Sequence, residues 1–139
     1  MRLERIDHVG YAVEHLEEAI AYHADLYGMS VVHRETVPGD GVREALLAIG
    51  DSYIQLLEPL TDASPVARFM RRNGGPGVHH VGYGVADVAA TLDALKAQGV
   101  RVVDDHPRRG SRGCTIAFLH PKGALGVLVE LVEDPRSRS

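Results

Sequence analysis

The chain repeats itself. Residues 6–13 read Ile-Asp-His-Val-Gly-Tyr-Ala-Val, and residues 78–85 read Val-His-His-Val-Gly-Tyr-Gly-Val, so His8 recurs as His80, 72 residues on. A second pair of segments, Ile-Gln-Leu-Leu-Glu at 54–58 and Val-Glu-Leu-Val-Glu at 129–133, recurs at an offset of 75. Only a few residues of loop therefore separate the two spacings. A period of this length is too long for a solenoid turn. In a chain of 139 residues, the size of one domain, it points to a duplicated module.

Each copy shows the same order of elements. The opening octet alternates as a strand does, with Val9, Tyr11 and Val13 on one face and His8, Gly10 and Ala12 on the other. A helix follows. Leu16, Ile20, His23 and Tyr27 form its stripe in the first copy, and Gly28 ends it. In the second copy Asp87 is the N-cap, Val88, Leu92 and Leu95 recur at helical spacing, and Gly99 fits the position after the last turn. His15 stands where Asp87 aligns and makes a weaker cap. Three strand-like runs complete each copy, at 30–37, 42–49 and 52–58 and at 100–104, 114–119 and 126–133, with turn signals at 38–41 and 120–123. The module reads βαβββ, twice. The expected fold is α+β: two modules, about 3–58 and 76–133 of a single domain, related by a pseudo-twofold axis and forming a concave metal-binding cleft. Residues at about 59–75 form the linker, with a helical turn around 64–72, and the tail at 135–139 is expected to lack order.

Composition narrows the function classes. A net charge of −4 with no basic stripe argues against a duplex nucleic-acid binder. No apolar run reaches the roughly 18 residues of a membrane span, and Met1–Arg5 lacks the apolar stretch of a signal peptide. One cysteine, Cys114, excludes an internal disulfide, so a reducing cytoplasm is the expected compartment and the thiol is read as core.

Four polar residues break the apolar pattern at repeat-related positions. His8 and His80 lie inside apolar strands, Gln55 within Tyr53-Ile-Gln-Leu-Leu57, and Glu130 within Val127-Leu-Val-Glu-Leu-Val132. A buried carboxylate is costly unless it is paired or holds a metal, and a buried amide needs partners. Their recurrence in a duplication favours one shared site over four separate accidents. Two imidazoles, a carboxylate and an amide oxygen form a nitrogen and oxygen donor set that suits Co²⁺, Mn²⁺, Ni²⁺, Zn²⁺ or Fe²⁺. Gly10 and Gly82, two residues after each histidine, leave room beside such an ion. Glu44 alternates in phase with Val42, Leu46 and Ala48, which directs it toward the same concavity. Glu58 and Glu133 also recur, beside Pro59 and Asp134-Pro135, and are expected to be solvated strand ends.

These residues resemble the vicinal oxygen chelate superfamily, and within it the methylmalonyl-CoA epimerase family. The resemblance rests on Ile6-Asp-His-Val-Gly10, Gly50-Asp-Ser-Tyr-Ile-Gln-Leu-Leu-Glu-Pro59, Gly77-Val-His-His-Val81, Ala117-Phe-Leu-His-Pro-Lys122 and Gly126-Val-Leu-Val-Glu-Leu-Val132. It implies a fold of paired βαβββ modules around one divalent metal, cobalt, manganese, nickel or zinc, with His8, Gln55, His80 and Glu130 as ligands. It implies epimerisation at C2 of an acyl-CoA, methylmalonyl-CoA, through a metal-stabilised enolate, in a homodimer. Glu44 matches a catalytic glutamate of some members, and the second proton-transfer group could be Glu130 through its unbound oxygen, a metal-bound water or another side chain. The chain departs from the pattern at Gly123-Ala124-Leu125, where members often carry small polar residues. Arg108, Arg109, Arg112, His120 and Lys122 are available for carboxylate or phosphate contacts, and none is assigned.

Three other readings stand beside this one. An extradiol dioxygenase would use two histidines and one glutamate around Fe²⁺, and a fourth protein ligand at Gln55 would occupy a position that oxygen or catechol needs. A glyoxalase I-like lyase typically places a glutamate at the second ligand position, against which Gln55 argues. A non-enzymatic binding protein of the same fold needs no metal, and leaves His8, His80 and Glu130 without a shared reason.

Overall fold

The computed structural model describes residues 1–137. They form two compact units, one comprising His8–His79 and the other Met1–Asp7 with the chain from His80 onward.

The His8–His79 unit contains most of β1 (Arg5–Ala12), then α1 (Leu16–Tyr27), β2 (Val31–Val37), β3 (Val42–Ile49), β4 (Ser52–Pro59) and α2 (Pro65–Asn73). Its strands run in the order β2-β3-β4-β1, with β1 parallel to β4 and the other pairs antiparallel. Because strand side chains alternate between faces, each strand supplies both sides of the sheet. Ala45, Leu47 and Leu56 pack with Leu16 and Ile20 under α1, while Val42, Leu57 and Ala12 pack on the other face with Val66, Phe69 and Met70 of α2. Gly28 ends α1 in a left-handed conformation, φ 67°, with its N–H bonded to the Ala24 carbonyl.

The second unit carries β5 (Gly77–Gly84) from His80 onward, α3 (Val88–Ala97), β6 (Arg108–Arg109), β7 (Thr115–Leu119) and β8 (Val129–Glu133). The strand order is β5-β8-β7-β6, with β5 parallel to β8. This repeats the first unit's pattern, helix cover included. Val88 and Leu92 pack on Ala117, Leu119, Val129 and Leu131, and Cys114, Ile116 and Val132 cluster separately with Phe118. Asp87 caps α3 as expected, accepting the Ala90 N–H, whereas His15 makes no side-chain cap to α1.

Several expectations are corrected. Residues 100–104 are not a strand and make only an isolated bridge, Val102 to Leu119. The Val103 and Asp104 N–H groups both donate to the Phe118 carbonyl, and the Asp104 carboxylate takes the Phe118 N–H, so this stretch turns instead of running along β7. β8 starts at Val129 rather than 126, because Leu125 and Gly126 turn with φ of 60° and 88°. Of the tail, Pro135–Ser137 forms one 3₁₀ turn, anchored by Arg136 on Asp134, and residues 138–139 lie outside the described residues.

Glu58 and Glu133 are not solvated. Glu58 accepts the Leu16 N–H at 3.0 Å, and Glu133 accepts the Val88 N–H at 2.9 Å. Strand parity turns each toward the helix of its own unit, where it satisfies an N–H that the helix cannot pair internally. Also unanticipated is Arg112, buried in the turn before β7, which donates to Asp7 at 2.7 Å and to Asp134 at 3.0 Å. It ties the beginning of β1 to the end of β8. Among the described residues no helix is long and apolar enough to cross a membrane.

Candidate metal centre

In the His8–His79 unit, the parallel register of β1 and β4 pairs Gly10 with Gln55. His8 stands two residues before Gly10, so all three occupy one face. The antiparallel register of β3 and β4 pairs Leu46 with Gln55 and Glu44 with Leu57, which adds Glu44 to that face as Gln55's diagonal neighbour. Glu44 is 2% exposed and Gln55 7%. Gln55 Nε2 donates to Glu44 Oε2 at 2.5 Å. Gln55 Oε1 is buried and has no hydrogen-bond partner. A buried acceptor left unpaired costs about 1–3 kcal/mol, and a cation is one way to satisfy it. The arginines near Glu44 in sequence are engaged elsewhere, Arg43 with Glu58 and Arg34 with Glu17.

The second unit builds the same arrangement from its own residues. Gly82 pairs with Glu130 across β5 and β8, two residues after His80. His80 Nε2 lies 3.1 Å from Glu130 Oε1. Phe118 pairs with Glu130 across β7 and β8 and meets the His80 ring edge-on, with centroids 5.5 Å apart. Phe118 is the site residue that sequence reasoning passed over; its signal was its alternation with Ile116, on the Glu130 face. His80 and Glu130 are both buried in this unit, as His8 is in the other. Imidazole and carboxylate donors, and an orphaned amide oxygen such as that of Gln55, are of the kind that suits a divalent ion.

The unassigned cations divide. Arg112 is held by two aspartates, and Arg108 bonds Asp104 and lies over the Phe118 ring. His120 accepts the Lys122 N–H. Cys114 is buried, and desolvation pushes its thiol up to about 11, which suits a core residue and not a nucleophile. A cavity of about 940 Å³ lined by Tyr11, Tyr22, His23, Tyr27 and Ile54 is set apart from this chemistry, because Tyr11 and Ile54 point to the face opposite Gly10 and Gln55.

Residues 7–118 match the family model described as the Glyoxalase/Bleomycin resistance protein/Dioxygenase superfamily. The chain belongs to that superfamily. Its place there is with the methylmalonyl-CoA epimerases. The ethylmalonyl-CoA/methylmalonyl-CoA epimerase of Cereibacter sphaeroides is 39% identical over 91% of this chain and 96% of its own length. A solved methylmalonyl-CoA epimerase in complex with methylmalonyl-CoA and NH4⁺ is 46% identical, with a TM-score of 0.93 and 96% of each chain covered. A variant of the Streptomyces coelicolor methylmalonyl-CoA epimerase in complex with 2-nitronate-propionyl-CoA is 44% identical, with a TM-score of 0.96 and 99% of each chain covered. The α+β architecture expected from the duplication is thus the fold of this glyoxalase-like superfamily, and His8, His80 and Glu130 are its possible metal ligands here.

Proposed function

We propose that this chain interconverts (2R)- and (2S)-methylmalonyl-CoA, with His8, Gln55, His80 and Glu130 holding one divalent ion, cobalt, manganese, nickel or zinc. The observation that carries this reading is the Glu44–Gln55 pair: a buried carboxylate on the His8 face, bonded to an amide whose oxygen is left open. The near-complete coverage of epimerase relatives supports it.

The C2 proton of the substrate is acidified by the thioester and carboxylate on either side of it. The barrier is the negative charge that develops as the proton leaves. A bound divalent ion supplies electrostatic stabilisation of that charge on the substrate oxygens. Glu44 takes the proton from, or returns it to, one face of C2. Its burial excludes water from the carboxylate, and the Gln55 N–H engages its Oε2. Glu130 is our choice for the opposite face, through the carboxylate oxygen not used in binding the ion. Epimerisation needs two such groups, because a single base returns the proton to the side from which it came.

The reading includes one domain built of two modules, about 3–58 and 76–133, a homodimer, and a cytoplasmic location. Incubation of the metal-loaded protein with (2R)-methylmalonyl-CoA in deuterated water tests the reaction. Deuterium at C2 together with growth of the (2S) form is the expected result, and a substrate that keeps both its proton and its configuration would overturn it.

A further inference from the structure

Resting on the metal reading above, we infer that Glu44 and Gln55 form a linked pair, in which Glu44 acts as the positioning residue that holds the Gln55 amide with its oxygen free to bind the metal. A carboxamide has one accepting end and one donating end. A carboxylate accepts only, so the nitrogen of Gln55 must face Glu44 and the oxygen must face away. That is the orientation seen: Nε2 donates to Glu44 Oε2, and Oε1 is buried without a partner. An amide with nothing to hold it can turn over and present its N–H groups, which cannot bind a cation. Gln55 sits on β4 between Leu46 of β3 and Gly10 of β1 in register, and neither side chain can orient an amide.

The link runs both ways, as any coupling between two binding events must. Charge drawn from the amide oxygen toward a cation makes its N–H a stronger donor to Glu44, because hydrogen-bonded groups polarise one another. Metal loading therefore helps to hold the Glu44 carboxylate in place.

The test is the affinity for Co²⁺, read from its visible absorption and by calorimetry without substrate. Glu44→Gln keeps an acceptor for the Gln55 N–H and should bind Co²⁺ within about threefold of the unaltered protein. Glu44→Leu and Glu44→Met remove the acceptor and should weaken binding by about 10–100-fold, the usual effect of losing a group that orients a metal ligand. Circular dichroism and a cooperative thermal transition establish that each variant is folded, and the two apolar replacements guard against one of them failing. If the unaltered protein takes up no stoichiometric Co²⁺, the metal reading itself fails. If it binds one Co²⁺ and the apolar variants bind as tightly, the metal reading stands and the positioning role is overturned. Equal weakening in Glu44→Gln and the apolar variants would also overturn it, since the amide orientation would then not depend on an acceptor.

Discussion

At position 44 a carboxylate is buried to 2% exposure and faces an amide, an arrangement that stability alone does not favour. Converting it to its own amide keeps the shape and removes the basicity. Glu44→Gln should therefore lower epimerisation by about 10²–10⁴-fold, the usual contribution of a general base or acid, with one metal still bound at saturation. Unchanged turnover in a coupled assay would assign the proton transfer elsewhere. His80 makes a different prediction, because its imidazole is placed to bind rather than to react. His80→Ala should lose stoichiometric metal by elemental analysis. It should lose metal-dependent stabilisation as well, which for the unaltered protein is about 2.7 kcal/mol when free metal is at 100 times its Kd. A chelator should accordingly lower the Tm of the unaltered protein and leave that of His80→Ala where it was.

Among the elements, α1 is the one that lacks a cap of its own. His15 supplies no side-chain bond, so the Leu16 N–H depends on Glu58, 42 residues away in sequence. α3 has both Asp87 and Glu133. Loss of a helix cap costs about 0.5–2 kcal/mol, so Glu58→Ala should destabilise by about that much in urea unfolding, and Glu133→Ala by less. The pH dependence follows from the Glu58 carboxyl. Burial works to raise its pKa, but the Leu16 N–H and the Arg43 guanidinium outweigh burial and hold it below its ordinary value. A carboxyl with a depressed folded pKa stabilises fully above its unfolded pKa and loses that contribution as pH falls through the folded one. The gap in Tm between the unaltered protein and Glu58→Ala should be constant above roughly pH 5 and close as the pH drops below about 4.

On the scale of the whole molecule, Arg112 is the residue whose removal should cost most. It is 5% exposed and carries the positive charge between Asp7 and Asp134, which are also buried. Taking one partner out of a buried ionic cluster leaves the others uncompensated, typically at about 3–5 kcal/mol. Arg112→Ala should lower the unfolding free energy by that amount in urea. Its effect on catalysis should follow from stability, because its two carboxylate partners, Asp7 and Asp134, are not among the proposed metal ligands. The consequence of its position is mechanical: it joins Asp7, the residue before His8, to the segment that leaves β8 two residues after Val132.

What the chain's own order of residues determined is everything carried by local period and by repetition. Alternation of two marked β1 and β5, spacing of three and four marked α1 and α3, and Asp87 and Gly28 set helix ends, because each of these signals acts between near neighbours. His8, His80, Gln55 and Glu130 were legible as a set because a duplication shows the same anomaly twice. Tertiary structure decided what depends on partners far apart in the chain. Glu58 and Glu133 look like strand ends until helices 42 and 45 residues away place N–H groups beside them. Arg112 looks like a surface cation until Asp7, 105 residues away, is found against it. The stretch 100–104 has strand-forming residues, yet the Asp104 carboxylate captures the Phe118 N–H that a ladder would use. The pairing of Gln55 with Glu44 depends on the register of β3 against β4, because side chains on the same sheet face meet only when register brings their positions diagonal to one another, and composition carries no trace of that alignment.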